Sequence, residues 1–318
     1  MDNQHIPVLR IGDFAAGLFL PGSTGRVLAT TSKVTYLKCS TDELVWIVAK
    51  NAPMHRRAIE LVGQLPPLVV DSTYSAKDSS LRFDSDVFLD LDVTPLWKTR
   101  SLLSESKLAA NDRQQTISLL SSIYNELPSP TGFGIFIPHL IKLSRDPTTF
   151  NIPQRRYWTE SQKVAFPIIL RIAKACLAYE FDAIFKHTEQ LIGLGEGLTP
   201  SGDDFVGGLF FCIRTLQGLL NCFYPSFFTN MENFLEQSKP RTNIISATIL
   251  KDHTLGHSFD LLHEFIPSLL SGGNPDNLRR TASKLIGLGH STGWDTLTGI
   301  LTGTLLMNGS IQRNAIKF

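Results

Sequence analysis

The 318-residue chain is long enough for one large domain or two ordinary ones, and its 42% apolar residues are the share that a filled core needs. Thirty basic residues against 29 acidic ones leave a formal net charge of +1 with no run of like charge, which argues against nucleic acid or an anionic membrane as the main partner. The start MDNQHIPVLRIGDF has no basic segment followed by an apolar core, and Phe205–Leu220, the most apolar stretch, contains Arg214 and Gln217 and is too short to span a bilayer, so a cytoplasmic protein is expected.

In chain order, the region up to about residue 95 reads as β-rich. Arg26–Thr31, Lys33–Lys38 and Leu44–Ala49 are short β-branched or alternating runs separated by turn residues. Met54–Gly63 reads as a short helix stopped by Pro66-Pro67. Leu68–Val70 and Val87–Leu91 read as further strands, and polar Asp71–Asp86 as a long loop or hairpin. Strands at this spacing suggest a small barrel or sandwich.

From about residue 100 the period changes to that of helices. Leu102–Leu127 has apolar residues at three- and four-residue steps, while Pro128–Pro153 reads as a connection carrying Thr131-Gly132-Phe133-Gly134, a loop able to approach something closely. Ala175–Ile192 traces one apolar face. Phe205–Leu220, apolar nearly all round, is expected to be the enclosed central helix. Ile244–Leu270 is one long or kinked helix or two, and Asn277–Ile286 and Trp294–Met307 complete the helical part. The expected fold is therefore α+β: a β-rich, barrel-like part over 1–100, a helix and Pro/Gly-rich connection over 101–158, and an all-α domain over 159–318. Cys39, Cys176, Cys212 and Cys222 form no CxxC pair and no disulfide framework is expected.

The all-α domain contains a repeat. Leu191-Ile192-Gly193-Leu194-Gly195 leads to Ser201-Gly202-Asp203-Asp204, and Leu285-Ile286-Gly287-Leu288-Gly289 leads to Thr292-Gly293-Trp294-Asp295, each followed by an apolar helix. Each unit reads as a helix ended by glycine, a tight loop, and the start of a second helix with Ser201 or Thr292 as its N-cap and Asp204 or Asp295 favouring the positive helix end. One such unit is a well-capped corner. Two, with glycines in excess of what capping needs, point to a small pocket in which paired helix starts receive an anion. The expected ligand-binding residues are Gly195, Gly197, Thr199, Ser201, Gly202, Asp204, Arg241, Thr242, Ser291, Thr292, Gly293 and Asp295. Asp203, with no equivalent in the second unit, is the freer carboxylate and the candidate for Mg2+ or substrate contact; no cofactor is otherwise implied. His290, in the second loop, is expected to stay neutral beside a helix start and to donate a hydrogen bond; Asp203 and His290 are thus the candidate catalytic pair. Thr242 reads as an N-cap with Arg241 beside it, either an anion clamp or a surface residue. His253 and His257 lack the HExxH pattern and read as an ordinary pair, and no Lys follows the glycines in P-loop spacing.

The segments GLGEGLTPSGDDFVGGL (Gly193–Leu209), Arg241-Thr242 with Ser246, and GLGHSTGWD (Gly287–Asp295) together resemble a bacterial family typified by the AllH subunit of oxamate carbamoyltransferase. The resemblance covers the chain from about residue 160, with Glu196 standing where the family usually has proline. It implies a subunit of a carbamoyl-transfer complex of allantoin and purine breakdown. That complex converts oxalurate and phosphate to oxamate and carbamoyl phosphate together with other, unrelated subunits. The alternative is a non-catalytic module that binds a small carboxylate or docks partners, since no nucleophile–base pair is evident.

Overall fold

The computed structural model describes residues 4–92, 94–98, 112–147, 156–220 and 225–307. Short runs with alternating burial build the N-terminal strands: β1 (Gln4–Gly12), then a short helix α1 (Asp13–Leu18), then β2 (Thr24–Thr30), β3 (Val34–Cys39), β4 (Leu44–Val48), β5 (Ala58–Leu61), β6 (Thr73–Lys77), β7 (Ser80–Phe83), β8 (Val87–Asp90) and β9 (Leu96–Trp97). Their hydrogen-bonded order is β5-β4-β3-β2-β6-β7-β8-β1, and β1 pairs back onto β5, so eight strands close a barrel with β9 added beside β1. Closure removes the free sheet edges. Asp78 and Ser79, with φ of 48° and 55°, form the two-residue turn between β6 and β7, the geometry whose twist suits a hairpin. The interior is apolar, with Val27, Leu37, Ile47, Ile59, Leu81, Phe83 and Leu89 fully buried.

Met54–Gly63 is not a helix. Its centre is β5, fully buried and held between β4, which it meets in parallel, and antiparallel β1. A short apolar run has no period of its own to separate helix from strand; the two neighbours decide. Leu68–Val70 forms no strand. Asp71–Asp86 contains the β6–β7 hairpin.

The helical part comprises α2 (Arg113–Tyr124), a 3₁₀ turn at Gly132–Phe136, α3 (Ile137–Arg145), α4 (Glu160–Ala178), α5 (Phe181–Thr188), α6 (Ser201–Leu220), α7 (Pro225–Ser238), a 3₁₀ turn at Lys239–Arg241, α8 (Ile244–Thr254), α9 (Asp260–Leu270), α10 (Pro275–Ile286) and α11 (Thr292–Thr304). Asp112 and Thr159 start α2 and α4 with complete capping boxes to Gln115 and Gln162. The part of the expected 102–127 helix before residue 112 lies outside the described residues, as does Cys222. The expected connection 128–153 holds α3, with a proline in its first turn where no amide hydrogen is missed. Ala175–Ile192 is interrupted where Tyr179 takes a left-handed conformation at φ 59°, and Ile244–Leu270 is two helices, parted at Gly256. The chain forms two compact units, Met1–Arg100 with Ser258–Asp260, and Ser101–His257 with Leu261–Phe318. Among the described residues no helix is long and apolar enough to cross a membrane.

The centre of the helical unit is the crossing of α6 and α11, both enclosed on all sides from Gly202 to Ile213 and from Gly293 to Thr304. Two glycines set the crossing. A Cβ on Gly208 would fall 2.2 Å from the Thr296 carbonyl oxygen, and a Cβ on Gly299 2.0 Å from that of Phe205. Aligning the two repeats at Asp204 and Asp295 places Phe205 opposite Thr296 and Gly208 opposite Gly299. The contact is therefore reciprocal, as a pseudo-two-fold relation requires. Gly208→Ala or Gly299→Ala is expected to lower stability by about 1–3 kcal/mol or more, the range for overpacking a tight interior. Gly17→Ala in α1, where a Cβ meets nothing within 4 Å, is expected to be neutral or slightly stabilising; thermal unfolding of the three variants checks this.

Candidate functional site

The two glycine loops end against the starts of α6 and α11 in the same way. In the first, the Leu194 carbonyl accepts from Gly202 N–H at 2.8 Å; in the second, the Leu288 carbonyl accepts from Gly293 N–H at 3.1 Å. A Cβ on Gly202 would lie 1.9 Å from Leu191 O, and one on Gly293 2.0 Å from Leu285 O. These helix-start glycines exist for close backbone packing within the protein rather than for exposure to a ligand. Gly193, at φ 78°, is likewise pressed against Arg241 O, and Gly195 and Gly289 against Ser201 and Thr292. Among the glycines expected to bind a ligand, Gly197 alone (φ 94°) has open space where a side chain would stand. Gly287 ends α10 in a right-handed conformation, so Gly289 is the left-handed residue there.

Ser201 and Thr292 are the first helical residues, not the N-caps. The Pro200 carbonyl accepts from Asp203 N–H at 2.9 Å and Asp204 N–H at 3.1 Å, and Ser291 precedes α11 without a side-chain capping bond. Their hydroxyls instead meet across the pseudo-two-fold: Thr199 and Thr292 are 3.1 Å apart, and Ser201 and Ser291 3.4 Å. All four are half-buried. The sequence pattern contained these residues but not their pairing, which links loops far apart in the chain.

Beneath the hydroxyls lie two buried carboxyls, one from each repeat. Burial pushes Asp204 well above the ordinary carboxylate range, the charge of Asp295 pushes it further, and the hydroxyls of Thr292 and Thr199 oppose the rise. Burial raises Asp295 to about 6, against the Phe133 amide and the Ser291 and Ser201 hydroxyls, which favour its charged form. Asp295 Oδ1 accepts from Phe133 N–H at 2.6 Å. The expected close approach of the 131–134 loop is to this residue: a Cβ on Gly132 would fall 2.2 Å from Asp295 Oδ1 and one on Gly134 2.8 Å from the Trp294 ring. Thr131 donates to the His290 carbonyl, and Gln162, the capping-box residue of α4, to the Gly132 carbonyl. The remaining oxygens, Asp204 Oδ2 and Asp295 Oδ2, are buried with no hydrogen-bond partner among the described residues.

The expected division of labour between the adjacent aspartates is reversed. Asp203 is a hub: Oδ1 accepts from Gly193 N–H at 2.7 Å, and Oδ2 from the Ser246 hydroxyl at 2.7 Å and the Thr242 hydroxyl. Its carboxyl is raised by burial and lowered by those three donors. Asp203 thus ties the first loop to α8 and leaves neither oxygen without a donor, whereas Asp204 keeps one. Thr242 is spent on Asp203; the N-cap of α8 is Asn243, which accepts from Ile245 and Ser246 N–H and donates to Leu198 O at 2.8 Å. Arg241 and His290 are exposed, as is Glu196. His253 is buried against Phe211, and among the described residues no group of three or more His, Cys, Asp or Glu side chains is placed to hold a metal.

Both repeats, both crossing helices and the α8 hub fall within one stretch of chain that resembles known proteins. Residues 191–304 match the family model for oxamate carbamoyltransferase subunit AllH. The match spans the Gly193–Leu209 and Gly287–Asp295 motifs on which the resemblance to the AllH subunit rests. No solved structure matches the chain.

The raised carboxyl of Asp295 has a consequence for stability. The folded protein holds this proton more tightly than the unfolded chain. Its contribution to stability is therefore complete below the ordinary value of 3.8 and is lost as pH rises through about 6. A difference of that size corresponds to on the order of 3 kcal/mol. Asp295→Asn, which keeps the acceptor for Phe133, should match the wild type near pH 3.5 and exceed it increasingly up to pH 7 in thermal unfolding with chelator present; a pH-independent difference refutes this assignment. Separately, Ser246→Ala removes a donor from the Asp203 hub and is expected to lower stability by about 1–3 kcal/mol, read as a lower urea midpoint.

Proposed function

We propose that this chain is a subunit of an oxamate carbamoyltransferase-type enzyme, acting with other protein subunits to convert oxalurate and phosphate to oxamate and carbamoyl phosphate. In this reading the paired starts of α6 and α11 bind the small anionic substrate. The observation that carries the reading is the meeting of two helix starts from the two repeats, with Thr199, Ser201, Ser291 and Thr292 half-buried between them. Helix starts carry a positive dipole end, and the four hydroxyls supply donors that suit an oxyanion, the amides of Gly202, Asp203, Asp204 and Gly293 being already bonded within the protein. The carbamoyl-type ligands also carry an amide NH2, which needs an acceptor, and Asp204 and Asp295 lie directly below the hydroxyls. Gly197 and the exposed Arg241 and His290 are the remaining candidates to contact ligand from the loops, His290 as a hydrogen-bond donor.

A second reading, a non-catalytic module that binds a small carboxylate or assembles partners, is favoured by one specific observation: most of the loop glycines are filled by the protein's own backbone and Asp203 is saturated by protein donors. The two readings separate in one experiment. Thermal unfolding of the purified chain is followed with phosphate, carbamoyl phosphate, oxamate and oxalurate. A ligand at about 100 times its dissociation constant adds about 2.7 kcal/mol, a rise of a few degrees. The expected result is a rise with the carbamoyl-type anions that disappears in folded Ser201→Ala and Thr292→Ala variants. Turnover in a complex reconstituted with its partner subunits, lost in the same variants while assembly persists, distinguishes the enzyme from the module. No rise with any anion, together with unimpaired turnover in those variants, removes the helix starts from the reaction.

A further inference from the structure

Asp204 and Asp295 are buried carboxyls at the starts of α6 and α11, one from each repeat. Both are buried, at 7% and 0% exposure, and each keeps one oxygen with no hydrogen-bond partner among the described residues. They stand at equivalent positions of the two repeats, four residues before Gly208 and Gly299, where α6 and α11 press backbone to backbone, and none of the groups acting on either is a Lys, Arg or His. Two like charges in a dry interior with no counter-charge are a strongly unfavourable arrangement. It is also a symmetric one, built by equivalent residues of the two repeats and faced by the hydroxyls of Thr199 and Thr292 on one and of Ser201 and Ser291 on the other. Every side-chain atom of the cluster that could ligate a cation is oxygen. Oxygen-only sets select hard cations over zinc or copper. Magnesium is commonly held by only one or two carboxylates, its other positions being filled by water and by oxygens of the substrate.

We propose that Asp204 Oδ2 and Asp295 Oδ2 bind one divalent cation of the magnesium class at the junction of α6 and α11, with the four hydroxyls as further or water-mediated ligands. Each aspartate contributes a single oxygen, since Asp295 Oδ1 already holds the 3₁₀ turn through Phe133 N–H. The cation neutralises the pair and gives the helix starts a positive centre on which an oxyanion closes the coordination. That last ligand rests on the proposed anion site; the protein ligands do not.

The test uses the full chain stripped with chelator, at pH 8 and with no anion added. MgCl2 is titrated calorimetrically, and MnCl2 is followed by electron paramagnetic resonance. One site is expected, with affinity reduced at least tenfold in Asp204→Asn and in Asp295→Asn, and with a magnesium-induced rise in thermal midpoint present in the wild type and absent in both variants. Removing one charge of an unneutralised pair relieves repulsion, so both variants are expected to fold, as checked by circular dichroism; Asp276→Asn, on the exposed face of α10, serves as a variant that still binds. Absence of binding to millimolar cation in the wild type, or wild-type affinity in the Asp204 and Asp295 variants, overturns the proposal. Anion binding that survives chelation alongside absent cation binding overturns it while leaving the anion reading intact. Cation binding without any anion effect upholds it and counts against that reading alone.

Discussion

The close approach of α6 and α11 governs the helical unit. Gly208 and Gly299 let each backbone rest on a carbonyl of the other, and no side chain larger than hydrogen fits at either place. Because the two contacts are equivalent, the crossing fixes the two helix starts relative to one another one turn away. The one further element that reaches Asp295 there, the 3₁₀ turn Gly132–Phe136, offers it a backbone amide and no counter-charge. The buried carboxyls of Asp204 and Asp295 and the hydroxyl contacts above them follow from a crossing made of glycine and backbone.

Around that crossing the polar groups fall into two kinds. The Asp203 hub, with donors from Gly193, Thr242 and Ser246, is satisfied, and it locks the first loop onto α8. Buried polar groups with full partners rigidify and specify a structure. Asp204 and Asp295 retain unpartnered oxygens and carry raised carboxyls. Such perturbed, incompletely paired groups concentrate where proteins bind or transform ligands. Their burial is unfavourable to the folded state, and the rest of the helical unit, with Phe205, Phe210, Phe211, Leu297 and Ile300 fully or nearly fully buried, offsets it.

Much of the site was legible from residue types and spacing. Leu-Ile-Gly-Leu-Gly twice, each followed by hydroxyl-Gly-x-Asp, located both helix starts, and the apolar run after Asp204 located the enclosed helix. The role of each aspartate was not legible. Asp203 and Asp204 are adjacent and chemically identical, and only the direction in which each leaves α6 separates a hub bonded to α8 from a carboxyl facing α11. The glycine excess suggested ligand access, yet a glycine pressed by a carbonyl and one left open read alike in a sequence. The barrel shows the same limit: Met54–Gly63 has no alternation, because all four residues of β5 are buried, and only its pairing with β4 and β1 makes it a strand.

The sequence by itself determined the β-rich and all-α halves, the two repeat units and the candidate residues at their helix starts, since local patterning and helix-end chemistry depend on near neighbours. Tertiary structure alone decided the closure of the barrel by β1 onto β5, the crossing at Gly208 and Gly299, and the meeting of Thr199 with Thr292 and of Ser201 with Ser291. Those contacts join residues far apart in the chain, and their strength depends on distance and burial, two quantities that spacing along a sequence does not carry.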